Sequence, residues 1–289
     1  MASYLELEKE YAKFCGKKYA VSVNSGTSAL HLALVVLGIG KGDEVIVPDF
    51  TMAACGFAVA YTGAKVVTVD CKDDLTIDET LIEKKITKRT KAIMPVHIYG
   101  RVCDMNAINK IAKKYKLKVI EDACEAQGAT GLGKADLTCY SLYKNKIICG
   151  EEGGIITTNN KRLYERLQDL KCMAFGKKHN YFHKEIGFNY RITESSASKA
   201  LDSLRNVKNN LEKRRSVEAD LDETIPDEWK LPKRDVVWVY DFMPPKKVKT
   251  VGNIREFFKP LSTMPMFRQE TGKKARYYGD RGIYISITV

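Results

Sequence analysis

Short runs rich in Val and Ile, bounded by Gly, Asp or Pro, recur through the first two-thirds of the chain: YAVSV (19–23), DEVIVP (43–48), AKVVTVD (64–70), KAIMPVH (91–97), KVIEDA (118–123) and ADLTCYSLY (135–143). A helix is predicted before them at 5–14, and segments of helix length separate them at 27–38, 51–62, 78–86 and 104–116. Apolar strands without alternation, joined by helices, suit a sheet buried on both faces. The pattern therefore predicts an α/β domain on a mostly parallel central sheet. After GGIITTNN (153–160) the chain turns polar, with helices predicted at 161–175 and 194–221, the second periodic in Ala and Leu. KLP (230–232), VVWVYDFMPP (236–245), FFKPLSTMPMF (257–267) and GIYISITV (282–289) then read as short strands around turns. The expected organisation is a large domain over 1–205 and a smaller, shortened α+β domain over 206–289.

Composition narrows the function class. At 289 residues and 44% hydrophobic content the chain can bury a sizeable core. No apolar run approaches the ~18 residues of a membrane span. The opening MASYLELEKEYAKF is amphipathic and charged, unlike a secretory leader, so a cytoplasmic location without a membrane partner is expected. Eight dispersed cysteines with no C-x-x-C pair, and only four histidines, argue against a zinc site or a disulfide framework. The net charge of +12 is spread over KRTK, KKYKLK, EKRR and PPKKVK, with no finger, RNP motif or basic stripe to join them. Nucleic acid is not the expected partner; the charge reads as solvated surface with a bias toward phosphorylated ligands.

Three stretches carry chemistry. In VSVNSGTSALHLAL (21–34), Asn24-Ser25-Gly26-Thr27-Ser28 joins a strand to a helix, where free N–H groups, hydroxyls and the helix dipole attract an anion. Alone, it is equally an ordinary N-cap. In KVIEDA, Asp122 ends a hydrophobic strand, and ligands of open α/β sheets sit at such carboxyl ends; the bland alternative is a cap on a following helix. In SLYKNKIICGEEGG (141–154), Lys144 and Lys146 follow another strand, and a lysine that loses hydration at a strand end becomes nucleophilic toward a carbonyl. A lysine, an acid for a pyridine nitrogen and a phosphate turn are the three parts of a pyridoxal phosphate site.

The stretches VNSGTSALHLAL, GDEVIVPDFT, PVHIYGRVCDM, VIEDACEAQGA, SLYKNKIICGEEGG, HKEIGFNYRIT and FFKPLSTMPMF, in that order from about residue 5 to 284, resemble the DegT/DnrJ/EryC1/StrS family of pyridoxal-phosphate-dependent sugar aminotransferases. The resemblance implies PLP fold type I, the aspartate aminotransferase-like architecture, with pyridoxal 5'-phosphate as cofactor. In the family's S-x-Y-x-N-K pattern the Schiff-base lysine is Lys146, which leaves Lys144 solvated. Ser141 matches a phosphate-binding hydroxyl, Gly26, Thr27 and Ser28 the phosphate turn, and Asp122 the partner of the pyridine nitrogen. Asn189 matches an asparagine that reaches the neighbouring subunit's phosphate, which implies a homodimer with shared active sites. Glu125 stands where many members carry Gln or His beside the cofactor's 3-hydroxyl, and Met52 where an aromatic residue often stacks on the ring; a methionine can still pack there through its polarizable sulfur.

For substrate, His183 matches a histidine near the sugar in perosamine-type members, with a structural histidine as the equal alternative. Arg255, Trp238 and Tyr240 are candidates for the nucleotide, core packing being the better reading for the two aromatics. The chain begins close to its first helix and stops after GIYISITV, so substrate contacts that relatives carry on longer ends are expected to be missing. The implied reaction moves an amino group from L-glutamate to a nucleotide-linked 4-keto-6-deoxy sugar, GDP-4-keto-6-deoxymannose in the perosamine branch. Three rivals stand beside it: a dTDP or UDP 3- or 4-keto sugar, sugar dehydration, for which relatives generally replace the lysine with histidine, and a non-catalytic binding or regulatory role.

Overall fold

The Val and Ile runs become one sheet. In the computed structural model, which describes residues 3–176 and 181–287 and so leaves His179 outside, α1 (Ser3–Phe14) leads into β1 (Tyr19–Val23). Then follow α2 (Gly26–Val36), β2 (Glu44–Pro48), α3 (Ala53–Tyr61), β3 (Lys65–Val69), α4 (Glu79–Ile82), β4 (Thr90–Ile93), α5 (Met105–Tyr115), β5 (Lys118–Asp122), β6 (Leu137–Ser141) and β7 (Gly154–Thr158). The seven strands lie in the order β1-β7-β6-β5-β4-β2-β3. From β3 to β6 every pairing is parallel, and β7 runs antiparallel to both β6 and β1. β2, β6 and β7 are buried at every position, because helices cover both faces and leave no polar side. The mostly parallel α/β sheet expected from the apolar runs is the one found.

This topology brings the chemical motifs together. β5 and β6 are in register with Asp122 opposite Cys139, so Asp122 and Ser141 leave neighbouring carboxyl ends. α2 packs over the same strands. Two glycines permit the approach. A Cβ on Gly26 would lie 2.9 Å from Ser141 Cβ, and one on Gly154 would lie 2.4 Å from Ser25 O. Any side chain at either position would push the start of α2 away from β6 and β7.

Beyond the sheet come α6 (Lys161–Leu170), α7 (Glu194–Arg205), α8 (Val207–Thr224), β8 (Val239–Phe242), β9 (Ile254–Glu256), α9 (Lys273–Arg281) and β10 (Ile283–Ser286). β8, β10 and β9 form a separate antiparallel sheet, with β10 in the middle. Several elements differ from the sequence reading. The helix expected at 194–221 is two helices meeting at Asn206. The helix expected at 161–175 ends at Leu170, before Met173 and Ala174 take left-handed conformations. FFKPLSTMPMF is no strand but two 3-10 turns, Leu261–Thr263 and Pro265–Phe267; its prolines lack the N–H a ladder needs. α9 was not anticipated at all. Its cap is remote: Asp70, at the end of β3, accepts from Lys274 N and Ala275 N at 3.1 and 2.8 Å.

Among the described residues the largest of three buried clusters reaches both sheets. Tyr99 packs against Phe257, Phe258 and Phe50 with ring centroids 5.1, 5.1 and 6.1 Å apart. Burying each such ring is worth roughly 2–3 kcal/mol. The Asp49 carboxylate, itself buried, accepts from Ser262 N, Ser262 Oγ and Gly272 N and so fastens the 3-10 turns to the end of β2. Among the described residues no helix is long and apolar enough to cross a membrane, and no cluster of His, Cys, Asp and Glu is arranged to hold a metal ion. The eight cysteines are free thiols.

Candidate active site

A pocket of about 390 Å³ opens at the carboxyl ends of β5 and β6. Gly26, Thr27, Met52, Asp122, Glu125, Ser141 and Lys146 line it, together with Trp238, Phe258 and Tyr284. A larger depression of about 1230 Å³ lies beside α6. Among the described residues its one amine, Lys118, pairs with the partly exposed Asp136 at 3.6 Å, and Arg166 pairs with Asp169 at 3.6 Å, so the smaller pocket, with an amine beside buried acids, is the better candidate.

The anion-binding end comes from the start of α2. Ser25 caps the helix, its Oγ accepting from Ser28 N at 3.0 Å. Ser28 Oγ donates to Asn24 Oδ1 at 2.6 Å. Ser28 thus shapes the turn without lining the pocket, while Gly26 and Thr27 face it beside the Ser141 hydroxyl. A helix N-terminus with a hydroxyl alongside is a phosphate-sized receptor.

Asp122 forms the floor. It is 5% exposed, and both oxygens are held: Oδ1 accepts from Cys124 N and Oδ2 from the Cys55 thiol, each at 3.0 Å. Thr51 Oγ1 lies 3.3 Å from the same sulfur. No helix follows β5; residues 123–136 are turns, which disposes of the helix-cap alternative. Cys55 escaped the sequence reading because its helix carries no signal of a partner 67 residues away.

Glu125 is buried beside Lys146, and its Oε2 accepts from Tyr99 N at 2.9 Å. Tyr99 presents that N–H from a left-handed conformation (φ 49°, ψ 33°), which costs a non-glycine residue about 1–2 kcal/mol. Burial pushes the Glu125 carboxyl up to about 7, against the pull of the Lys146 ammonium and the Tyr99 N–H. Lys146 is half-buried with Nζ 3.5 Å from the centre of the Trp238 ring. Lys144 is exposed, its amine 5.9 Å from the Tyr143 ring. Met52 sits at the lip, half exposed.

Besides Ser28, the predicted residues Asn189, His183, Arg255 and Tyr240 do not line the pocket. Asn189 is exposed on a strand-like bridge to Cys172. His183 is exposed, its Nδ1 2.7 Å from Met173 O. Arg255 lies on β9, and its Nη1 donates to Gly252 O and Ile254 O. Tyr240 is a core residue whose hydroxyl donates to Asp222 at 2.6 Å. Trp238 is buried as expected and also reaches the pocket. The groups gathered are an amine, a carboxylate with fixed oxygens, a second carboxyl able to carry a proton near neutrality, and an anion receptor. This donor set fits a phosphorylated pyridine aldehyde.

The sequence pattern of the DegT/DnrJ/EryC1/StrS aminotransferase family matches residues 2–230. A GDP-perosamine synthase of Caulobacter vibrioides is 46% identical over 220 residues, 74% of this chain; the match spans 59% of that protein's length. A GDP-perosamine synthase of Escherichia coli O157:H7 is 36% identical over 305 residues, covering 96% of this chain and 83% of its own. Among solved structures, DesV of S. venezuelae superposes with a TM-score of 0.88 at 30% identity, over 99% of this chain and 84% of that one.

Proposed function

The chain belongs to the DegT/DnrJ/EryC1/StrS aminotransferase family, and from that premise we propose that it is a pyridoxal-phosphate-dependent aminotransferase for a nucleotide-linked 4-keto-6-deoxy sugar. L-Glutamate is the amino donor, and GDP-4-keto-6-deoxymannose, giving GDP-perosamine, is the acceptor. The observation that carries the reading is the meeting of Lys146, Asp122, Ser141 and the start of α2 in one pocket. The GDP sugar is supported by the perosamine synthases among the relatives. Dehydration is disfavoured by the lysine at position 146.

The cofactor, when bound, supplies an electron sink for the carbanion formed next to nitrogen. Lys146 Nζ is the group that would hold it covalently, and its amine would take and return the proton at the substrate carbon bearing nitrogen. Asp122, its oxygens fixed by Cys124 N and Cys55, keeps the pyridine nitrogen protonated, since an adjacent anion favours the cation. Gly26, Thr27 and the Ser141 hydroxyl hold the phosphate, with Ser28 bracing the turn. Glu125 and Met52, both lining the pocket, would contact the ring. In a homodimer, Asn189 from a second copy completes the phosphate site, and His183 and Arg255 face the sugar nucleotide. Residues 1–205 then form the cofactor-binding domain and 206–289 the smaller one, in a cytoplasmic enzyme.

The test is direct. Protein loaded with pyridoxal 5'-phosphate should change its absorbance when glutamate is added and change back on GDP-4-keto-6-deoxymannose, with release of an aminated sugar nucleotide seen by mass spectrometry. A spectrum indifferent to glutamate would overturn the reading. For the shared site, mixing Lys146→Ala with Asn189→Ala subunits should restore part of the activity, because one of the two heterodimer sites carries neither lesion. A fully active monomer on dilution rules sharing out.

A further inference from the structure

Trp238 joins the smaller sheet to the lysine loop at three points. It stands one residue before β8 and is 4% exposed, as a core tryptophan should be. Its indole Nε1–H donates to Asn145 O at 2.9 Å. Its ring face lies under Lys146 Nζ, 3.5 Å from the centroid. Its own carbonyl accepts from Arg214 Nη1 at 2.7 Å, and the other arm of that guanidinium lies 3.5 Å from Lys146 O. Arg214 is itself buried on α8 and also bonds Ile287 O. One tryptophan and one arginine, both from beyond residue 205, thus grip the side chain and the backbone of a lysine in the loop between β6 and β7.

A tryptophan needed only for volume would not require this orientation. Its N–H is directed at the carbonyl next to the lysine, and its electron-rich face is directed at the amine. Indole is the strongest cation-binding side chain among the aromatics, and the attraction grows where water is excluded. We propose that Trp238 is a positioning residue for Lys146. Its ring is the seat of the ammonium whenever Lys146 is not bonded to cofactor, and the bond to Asn145 O fixes the loop so that Lys146, not Lys144, meets an incoming aldehyde. The inference rests on the role of Lys146 proposed above. It adds that the smaller sheet sets where the amine waits.

The experiment follows pyridoxal 5'-phosphate addition to cofactor-free protein. Adducts are trapped with borohydride at timed intervals and assigned to Lys146 or Lys144 by peptide mass. Trp238→Phe keeps a ring face and loses the N–H; Trp238→Leu loses both. Trapping at Lys146 should slow by about threefold in the first and about tenfold in the second, with the share at Lys144 rising in step. If both variants label Lys146 as wild type does, or lose label only in proportion to folded fraction at an unchanged Lys146 to Lys144 ratio, Trp238 is core filling and the proposal fails.

A second measurement covers a Trp238→Leu protein that does not fold. The chain has two tryptophans, so Trp229→Phe leaves Trp238 as the only tryptophan, followed by excitation beyond the absorption of tyrosine. Adding Lys146→Met should change its emission intensity, and adding Lys144→Met should not. Identical spectra for all three proteins overturn the contact. If wild type traps no adduct at Lys146, the aminotransferase reading fails, while the emission change still decides whether Trp238 seats the amine.

Discussion

Asp122 and Arg255 are both charged residues on strands near the same pocket, yet they are built differently. Asp122 is buried where β5 ends, and two groups from different segments hold its two oxygens. Arg255 is exposed on the three-residue edge strand β9, and its guanidinium bonds the carbonyls of its own turn. The contrast extends to their neighbours: Gly26, Ser141 and Lys146 converge with Asp122, while Asn189 and His183 share the exposure of Arg255. A parallel sheet brings the carboxyl ends of adjacent strands together as a consequence of its topology. Nothing in that geometry governs an exposed loop. One folded chain therefore gathers the pocket floor, and on the function proposed above the remaining contacts to phosphate and sugar nucleotide come from a second copy or from closure on the substrate.

The sharpest way to break this contrast is at the amine. Lys146→Ala should lower transamination by roughly 10⁴-fold, as loss of both the covalent anchor and the proton carrier implies, and no borohydride-stable adduct should be found at position 146. Lys144→Ala should change neither. An adduct on Lys144 in the wild-type protein would move the chemistry out to the exposed side of the loop.

Next in size is Asp122→Asn. An amide cannot stabilise a protonated pyridine nitrogen as a carboxylate does, and loss of one prearranged electrostatic partner costs roughly 10²–10³ in rate. The fold and part of the cofactor binding should survive, because the amide oxygen can still accept one of the two hydrogen bonds. Near-wild-type turnover would reduce Asp122 to a structural turn residue.

The same division explains what could be read from the residues alone. Asp122, Ser141, Lys146 and the 26–28 turn were legible because each motif sits where an apolar run stops, and the runs themselves declare the sheet. Cys55 was not, and of Trp238 only the burial was, because their partners lie 67 and 93 residues away and no local pattern records a thiol or an indole aimed across the fold. α9 was missed for a related reason: its only buried residues are Ala275, Tyr278 and Gly279, and its first turn is capped by Asp70. FFKPLSTMPMF misled by apolar content, since its buried Phe257, Leu261 and Phe267 face the core from turns rather than from a ladder. Around His183 and Arg255 the residues show exposure and contacts to nearby backbone carbonyls, which carry no record of a ligand.

Glu125 tests whether the floor is tuned as well as buried. Its carboxyl is raised from 4.5 to about 7 by burial, so the folded protein binds that proton more tightly than the unfolded chain. The contribution to stability is fully present below pH 4.5 and is lost as pH rises through 7. At ~1.4 kcal/mol per pH unit the loss amounts to about 3 kcal/mol. Glu125→Gln keeps an oxygen for Tyr99 N–H and has no proton to lose. Cofactor-free variant and wild type should then melt alike near pH 4.5, with the variant several degrees higher at pH 8. Parallel melting curves across that range would mean that Glu125 stays charged, and that the Lys146 ammonium offsets its burial completely.

The smallest effect is expected at Arg255. Its register partner on β10 is Tyr284, which lines the pocket, so Arg255 stands one strand further out, in water. Guanidinium groups match phosphate oxygens in a bidentate way. An exposed ion pair nevertheless contributes at most about 1 kcal/mol, and Arg255 must first give up the carbonyls of Gly252 and Ile254. Arg255→Ala should therefore raise KM for the sugar nucleotide by no more than about fivefold, leave kcat and the melting temperature unchanged, and act equally on GDP-4-keto-6-deoxymannose and dTDP-4-keto-6-deoxyglucose, because a phosphate contact carries no information about the base. Wild type should prefer the GDP sugar modestly in the same coupled assays. A loss of fiftyfold or more, or one confined to a single base, would show that β9 closes over the substrate and desolvates the arginine, and the outer residues would then be as organised as the floor.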